Sequence, residues 1–212
     1  YPQYLATVVI AVDRERTDAR IDSWSDLPAV HEAVGYSDKY PDGQLLMAAV
    51  AYGLEGEDFT LKRAADLLKV LQDEKRLVRK SFDAPIVICY DYQAAALIKS
   101  GRNIEIIVPR EGTLTYQKGL LSNTELAFTG DVESLLLSAG FRLIDGRCDD
   151  VLYPNAAAYE RAAAVMDYAH LNTVLEDVTL VLRRNVLHTR LYTSADGREH
   201  QFFVLLYSIL VV

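Results

Sequence analysis

Apolar positions along this chain change period in a regular way. Leu5–Val12 is a continuous run rich in β-branched residues, and it reads as a buried strand. A charged stretch from Asp13 to Asp22 follows. Ser23, Trp24, Ser25, Asp26 and Leu27 then form a short capped turn, and Val30–Tyr36 alternates weakly as a strand would. Asp42 caps a helical stretch to Leu54. Thr60 caps a longer one, from Leu61 to about Lys80, with Leu61, Ala64, Ala65, Leu68, Leu71 and Val78 on one face. Ala84–Tyr90 is a short, unbroken apolar run of the kind a central parallel strand shows. Asp91–Ser100 reads as a helix closed by Gly101, and Asn103–Val108 as a strand stopped by Pro109. Residues 23–110 thus alternate strand and helix, which predicts a mainly parallel sheet flanked by helices.

Later segments carry weaker patterns. Asp131 caps a helix to about Ala139 with Gly140 as its stop, and Phe141–Ile144 reads as a short strand. Asn155–Ala169 and Thr173–Leu187 read as helices. Ser194–Glu199 resembles a helix start at an interface. Phe202–Val212 is an apolar run of 11 residues, where a membrane-spanning helix needs about 20. The run fits the first part of a membrane anchor, and it fits a buried strand or helix as well. The segment 116–129 has no clear period. The sequence shows no internal repeat and no Gly/Ser linker.

Half of the 212 residues are hydrophobic and a quarter are charged, a globular balance. The formal net charge is −8; the clustered cations are Lys75, Arg76, Arg79 and Lys80, on a helical pattern that also holds Asp73 and Glu74, with Arg183 and Arg184 further on. Nucleic acid is therefore excluded as the main partner. Thirteen tyrosines against six phenylalanines suit a wet cleft, although any single one serves equally at a core edge. Cys89 and Cys148 lack metal-ligand spacing; they form either one disulfide or two thiols, and the apolar run around Cys89 favours a buried thiol.

No phosphate loop, nucleophile elbow or zinc-binding helix motif occurs. His31, His170, His188 and His200 have no mutual spacing, and nothing pairs Cys89 with a base. No catalytic residue, metal site or cofactor is predicted. The positive signals are three loops after strand-like runs: Gly35–Asp38, Tyr90–Tyr92 and Pro109–Thr113. In an open α/β sheet, ligands bind beyond the carboxyl ends of the strands, where helix amino termini offer free N–H groups.

Two of these segments resemble a known family. Trp24, Ser25, Asp26 and Leu27 are similar to the Trp-x-Asp-Leu segment that opens the second lobe of type 2 periplasmic solute-binding proteins of ABC transporters. Pro109, Arg110, Glu111, Gly112 and Thr113 resemble the Pro-x-Glu-Gly-Thr segment of that family's polyamine- and iron-binding branches. The resemblance covers about residues 1–120. It implies an α/β lobe of the periplasmic-binding-protein type 2 kind with extra C-terminal helices, and closure of two lobes around a ligand by hinge motion. Residues 1–22 would then hold a crossing strand, Leu5–Val12, from a first lobe whose greater part precedes Tyr1. Residues 23–120 would form the ligand-binding lobe and 121–193 a mixed return segment. Residues 194–212 would be the apolar end, a candidate membrane anchor. Asp38, Tyr90, Asp91, Glu111 and Thr113 are the ligand-binding residues the resemblance implies. The function it implies is reversible binding of a small polar solute at the periplasmic or extracellular face of a membrane, with ABC permease subunits as further partners. The competing readings are an enzyme, or a purely structural lobe, on the same architecture.

Overall fold

In the computed structural model, residues 2–36, 42–79, 82–119, 131–165, 189–193 and 199–203 are described. The organising element is β1, Pro2–Asp13, a 12-residue strand whose two halves belong to different neighbourhoods. Its carboxyl half pairs antiparallel with β4 (Ile86–Tyr90) on one edge and with β5 (Ile104–Ile107) on the other. Beyond β4 lie β2 (Val34–Tyr36) and β3 (Leu77–Arg79), each parallel to its neighbour. The order across this part is therefore β3-β2-β4-β1-β5, with four strands running one way and β1 against them.

The amino half of β1 pairs antiparallel with β6 (Thr113–Gly119) on one edge and β7 (Arg142–Leu143) on the other. A short strand β8, Ala163–Val165, continues the sheet parallel to β6. Thus β1, with β6 alongside, passes from one sheet region into a second. A separate antiparallel pair joins β9 (Thr189–Thr193) to β10 (Glu199–Phe203).

Both faces of the carboxyl half of β1 are covered, which is why Val8–Val12 is apolar without alternation. Val8, Ile10 and Val12 face one core. It also holds Trp24, Leu27 and residues of α1 (Asp42–Glu55) and α2 (Lys62–Asp73). Val9 and Ala11 face the other, with Cys89, Leu152, Tyr153 and Ala94 and Ala95 of α3 (Asp91–Lys99). Burial of these side chains, at roughly 1.5–3 kcal/mol each relative to exposure, is the main driving force for stacking the helices on the sheet.

Several expectations are corrected. The helix expected over Leu61–Lys80 ends at Asp73; Lys75 turns the chain with φ 59, and Val78 joins the sheet as part of β3. The parallel neighbour β2 supplies ladder partners that outweigh the local helical period. The strand expected from Val30 starts only at Val34. The helix expected over Asn155–Ala169 is α5, Ala156–Ala162; Ala163–Val165 leaves it to pair with the open edge of β6. Asp38, the whole of the expected helix Thr173–Leu187, and residues 194–198 and 204–212 of the polar and apolar C-terminal stretches lie outside the described residues. Phe202 and Phe203 stand in β10, and no helix among the described residues is long and apolar enough to cross a membrane. A further helix, α4 (Val132–Ala139), is capped as expected: the Asp131 carboxylate accepts from Ser134 N at 2.9 Å, and Gly140 closes it with φ 92.

Candidate functional site

Because β2, β4 and β5 run parallel, the turns that follow them leave from one edge of the sheet. The described residues at that edge are Tyr36, Tyr90–Tyr92 and Val108–Gly112.

Asp91 begins α3 directly after β4 and is 0% exposed. Its Oδ1 accepts from Thr7 N at 3.1 Å and from Tyr92 N at 2.9 Å, and its Oδ2 meets Arg142 Nη1 at 3.0 Å. Burial pushes the carboxyl up to about 6, against the pull of Arg142 and of the two amides. Thr113, at the start of β6, is also buried, and its hydroxyl donates to Val8 O at 2.7 Å. The polar atoms of both residues are thus spent on the junction between β1, β4 and β6.

Glu111 is exposed, and its carboxylate points at the other resembling segment. It accepts from Trp24 N at 2.7 Å and from the Ser25 hydroxyl, capping the 3₁₀ turn Trp24–Ala29. Trp24 Nε1 returns a hydrogen bond to Gly112 O at 2.9 Å, and Arg110 N donates to Asp22 O at 2.9 Å. The two segments, far apart in sequence, are two halves of one clasp. Gly53 of α1 completes it: a Cβ there would overlap Trp24 Cδ1 and sit 2.5 Å from Gly112 O.

Tyr90 belongs to something larger. It stacks on Tyr92 with centroids 5.6 Å apart, and Tyr92 stacks on Phe141 at 5.0 Å. Tyr4 packs on Phe141 at 4.5 Å and edge-on to Tyr92 at 5.7 Å. Tyr116 stands edge-on to Tyr90 at 6.4 Å, its hydroxyl donating to Leu45 O near the start of α1. Lys118 Nζ lies 5.1 Å from the Tyr90 centroid. The register explains the grouping. Tyr4 stands opposite Lys118, Ala6 opposite Tyr116 and Val8 opposite Tyr90, so the three pairs share one face. The result is an aromatic floor at the strand ends, built from both sheet regions. Tyr90 and Tyr116 form its buried base; Tyr4, Tyr92, Phe141 and Lys118 are half-exposed.

Of the sequence-derived candidates, the structure groups Tyr90 with this floor, Asp91 and Thr113 with the strand junction, and Glu111 with the clasp. Arg142, Tyr4, Phe141 and Lys118 escaped sequence reasoning, and Tyr92 was singled out only as part of the loop after β4. The excess of tyrosine was the one available signal. Among the described residues no group of three or more His, Cys, Asp or Glu could hold a metal ion. Cys89 and Cys148 are free thiols. Burial drives the Cys89 thiol strongly up, the opposite of an activated nucleophile.

No protein-family model and no curated protein sequence matches the chain. Solved structures do. The periplasmic binding protein AgtB from A. tumefaciens R10, in complex with agropinic acid, superposes with a TM-score of 0.59 at 12% identity, over 88% of this chain and 69% of that one. An ABC transporter structure from Clostridium perfringens gives 0.55 at 16% identity, over 86% and 68%. The periplasmic binding protein AfuA from Actinobacillus pleuropneumoniae gives 0.44 at 22% identity, and there the chain spans 40% of that protein and 54% of its own length.

Proposed function

We propose, from a chain that has the fold of the periplasmic solute-binding proteins of ABC transporters, that it is the ligand-binding part of an extracytoplasmic solute receptor. The observation that carries this reading is the aromatic floor at the common rim of β2, β4 and β5, the edge where open α/β sheets receive ligands. Five rings with a lysine ammonium beside them suit a small organic solute with a flat or apolar body and polar ends.

In this reading residues 23–120 are the binding lobe, 1–22 carry a crossing strand, 121–193 return to the first lobe and 194–212 are the apolar end. Tyr92 and Tyr4 meet the solute above the buried Tyr90, and Asp38 is a further ligand-binding residue of this reading. Asp91, Glu111 and Thr113 hold the rim in shape. An ABC permease and a link to the membrane's outer face complete the assembly. A binding role, rather than catalysis, agrees with a buried, protonated Cys89 and with binding proteins as structural neighbours.

The test is a thermal-shift screen of the protein with amino acids, polyamines, sugars and oxyanions. Ligand at about 100 times its Kd stabilises by about 2.7 kcal/mol. A saturable rise in Tm with one class, lost in Tyr92→Ala, is expected. No shift with any class overturns the proposal.

A further inference from the structure

The handover of β1 between sheet regions occurs at Thr7, and it is marked by a buried polar cluster. Thr7 and Asp91 are 0% exposed, Thr115 3% and Arg142 8%. Arg142 belongs to β7, on the far side of the handover from α3. Its Nη1 contacts Asp91 Oδ2 at 3.0 Å and donates to Thr7 Oγ1 at 2.8 Å, and its guanidinium lies 3.9 Å from the Tyr159 ring centroid. Thr7 Oγ1 also meets Thr115 Oγ1 at 2.8 Å across the β1–β6 pair. One planar cation on β7 therefore touches β1 at the handover, the helix that begins at the rim, and a ring of α5.

Burying such a pair costs several kcal/mol per ion in desolvation, which attraction offsets only when every remaining polar atom is matched. Apolar side chains of the same volume would stabilise the junction as well. What they would lack is direction, since a fork of donors fixes where each acceptor must stand.

We propose that Arg142 is a positioning residue at the pivot of the crossing strands, coupling movement of the β6–β7–β8 region to the first turn of α3. Through Asp91 that turn carries Tyr92, and through the Thr7 amide it is tied to β1. A rotation of the second region thus reaches the aromatic floor through one guanidinium. Its consequence for ligand rests on the proposed receptor function; the coupling itself does not.

The groups facing Asp91 are Arg142 of β7, Cys89 of β4, Cys148 in the turn after β7, and Tyr153 and Tyr159 before and within α5. Burial pushes both thiols and both phenols up, so Asp91 is the one among them that changes charge between pH 4 and 8. Its titration is therefore a local reporter, read at the amide of Thr7 that it accepts from.

The experiment is amide exchange and NMR titration of the whole chain, without ligand, in wild type and Arg142→Met. Exchange at Thr7 and Tyr92 should accelerate about tenfold or more, with α1 and α2 nearly unchanged, as expected of a local opening. The Thr7 amide should titrate near pH 6 in wild type and higher in the variant. Acceleration spread evenly over the molecule, no acceleration, or an unmoved midpoint overturns the proposal. Should Arg142→Met not fold, Arg142→Lys keeps the charge without the fork, and the same local pattern at smaller amplitude is required. A failed ligand screen leaves this result standing, and a failed exchange experiment leaves the ligand screen standing.

Discussion

Two carboxylates stand at neighbouring strand ends and do similar things under different conditions. Asp91 and Glu111 each accept hydrogen bonds from the backbone of a segment more than 80 residues away. Asp91 does so fully buried, against a guanidinium, with its carboxyl raised by burial. Glu111 does so in water, against the open end of a 3₁₀ turn. In the dry junction each partner depends on the other, because an unmatched charge there has no water to turn to. In the wet clasp, water can replace either side at small cost. Each acid serves the fold, and only the buried one is positioned to govern how two sheet regions meet.

The largest effect should come from removing the buried cation. Arg142→Met leaves the buried Asp91 without its cation, so that at pH 7 it either stays charged and unmatched or must take up a proton, and losses of about 3–5 kcal/mol are usual for such a change. Without Arg142 the Asp91 carboxyl binds its proton more readily. The loss measured by urea unfolding should therefore shrink at pH 5. Equal losses at both pH values would erase the contrast with Glu111.

The same linkage appears in the unmodified chain. Asp91 titrates at about 6 when folded and near 3.8 when unfolded, so the folded state holds the proton more tightly. The stability this group adds is fully present below about pH 3.8 and is lost as pH rises through 6. The whole span is on the order of 3 kcal/mol. Asp13, Asp26 and Glu32 act the other way, because hydrogen bonds, joined by Arg102 at Asp13, hold their carboxyls below the usual range despite partial burial. The stability they add is lost in acid. Subtracting the Asp91→Asn curve from the wild-type curve isolates the Asp91 share. That difference should fall between pH 4 and 6 and stay flat above; a flat difference throughout would place Asp91 in water.

Gly53→Ala probes the wet clasp from its buried side. The added methyl would run into Trp24 and the Gly112 carbonyl, and overpacking of this kind costs about 1–3 kcal/mol. Chemical denaturation should show this loss unchanged between pH 5 and 7, since no titrating group is disturbed. A neutral or stabilising effect would mean that the Trp24 contact is loose.

The sequence was most legible where one period dominates. Ala84–Tyr90, Asp91–Ser100 and Asp131–Ala139 each appear within a residue or two, and Leu5–Val12 appears as a strand that begins three residues earlier, because local pattern and tertiary context agree. It was least legible where a short strand depends on a partner elsewhere. Leu77–Arg79 and Ala163–Val165 are strands because β2 and β6 present open edges to them, and no local window records that. The rim was readable as three loops after three strands. The division of labour among their residues was not. Whether Asp91 meets a solute or Arg142 depends on a contact 51 residues away. The floor was invisible for the same reason: Tyr4, Tyr92, Phe141 and Lys118 meet only through the register of β1 with β6 and the return of the chain to β7.

The smallest effect should belong to Glu111→Gln. The amide keeps one oxygen able to accept from Trp24 N and loses the charge, and exposed caps of this kind contribute about 1 kcal/mol or less. Denaturation should register a loss of that size at pH 7 and the same at pH 5.5. Because Trp24 Nε1 remains bonded to Gly112 O and its ring stays packed against Gly53, the Trp24 fluorescence maximum should not move. A loss approaching that of Arg142→Met would show that the clasp is as dry and as interdependent as the junction. The contrast between the two carboxylates would then be one of position alone.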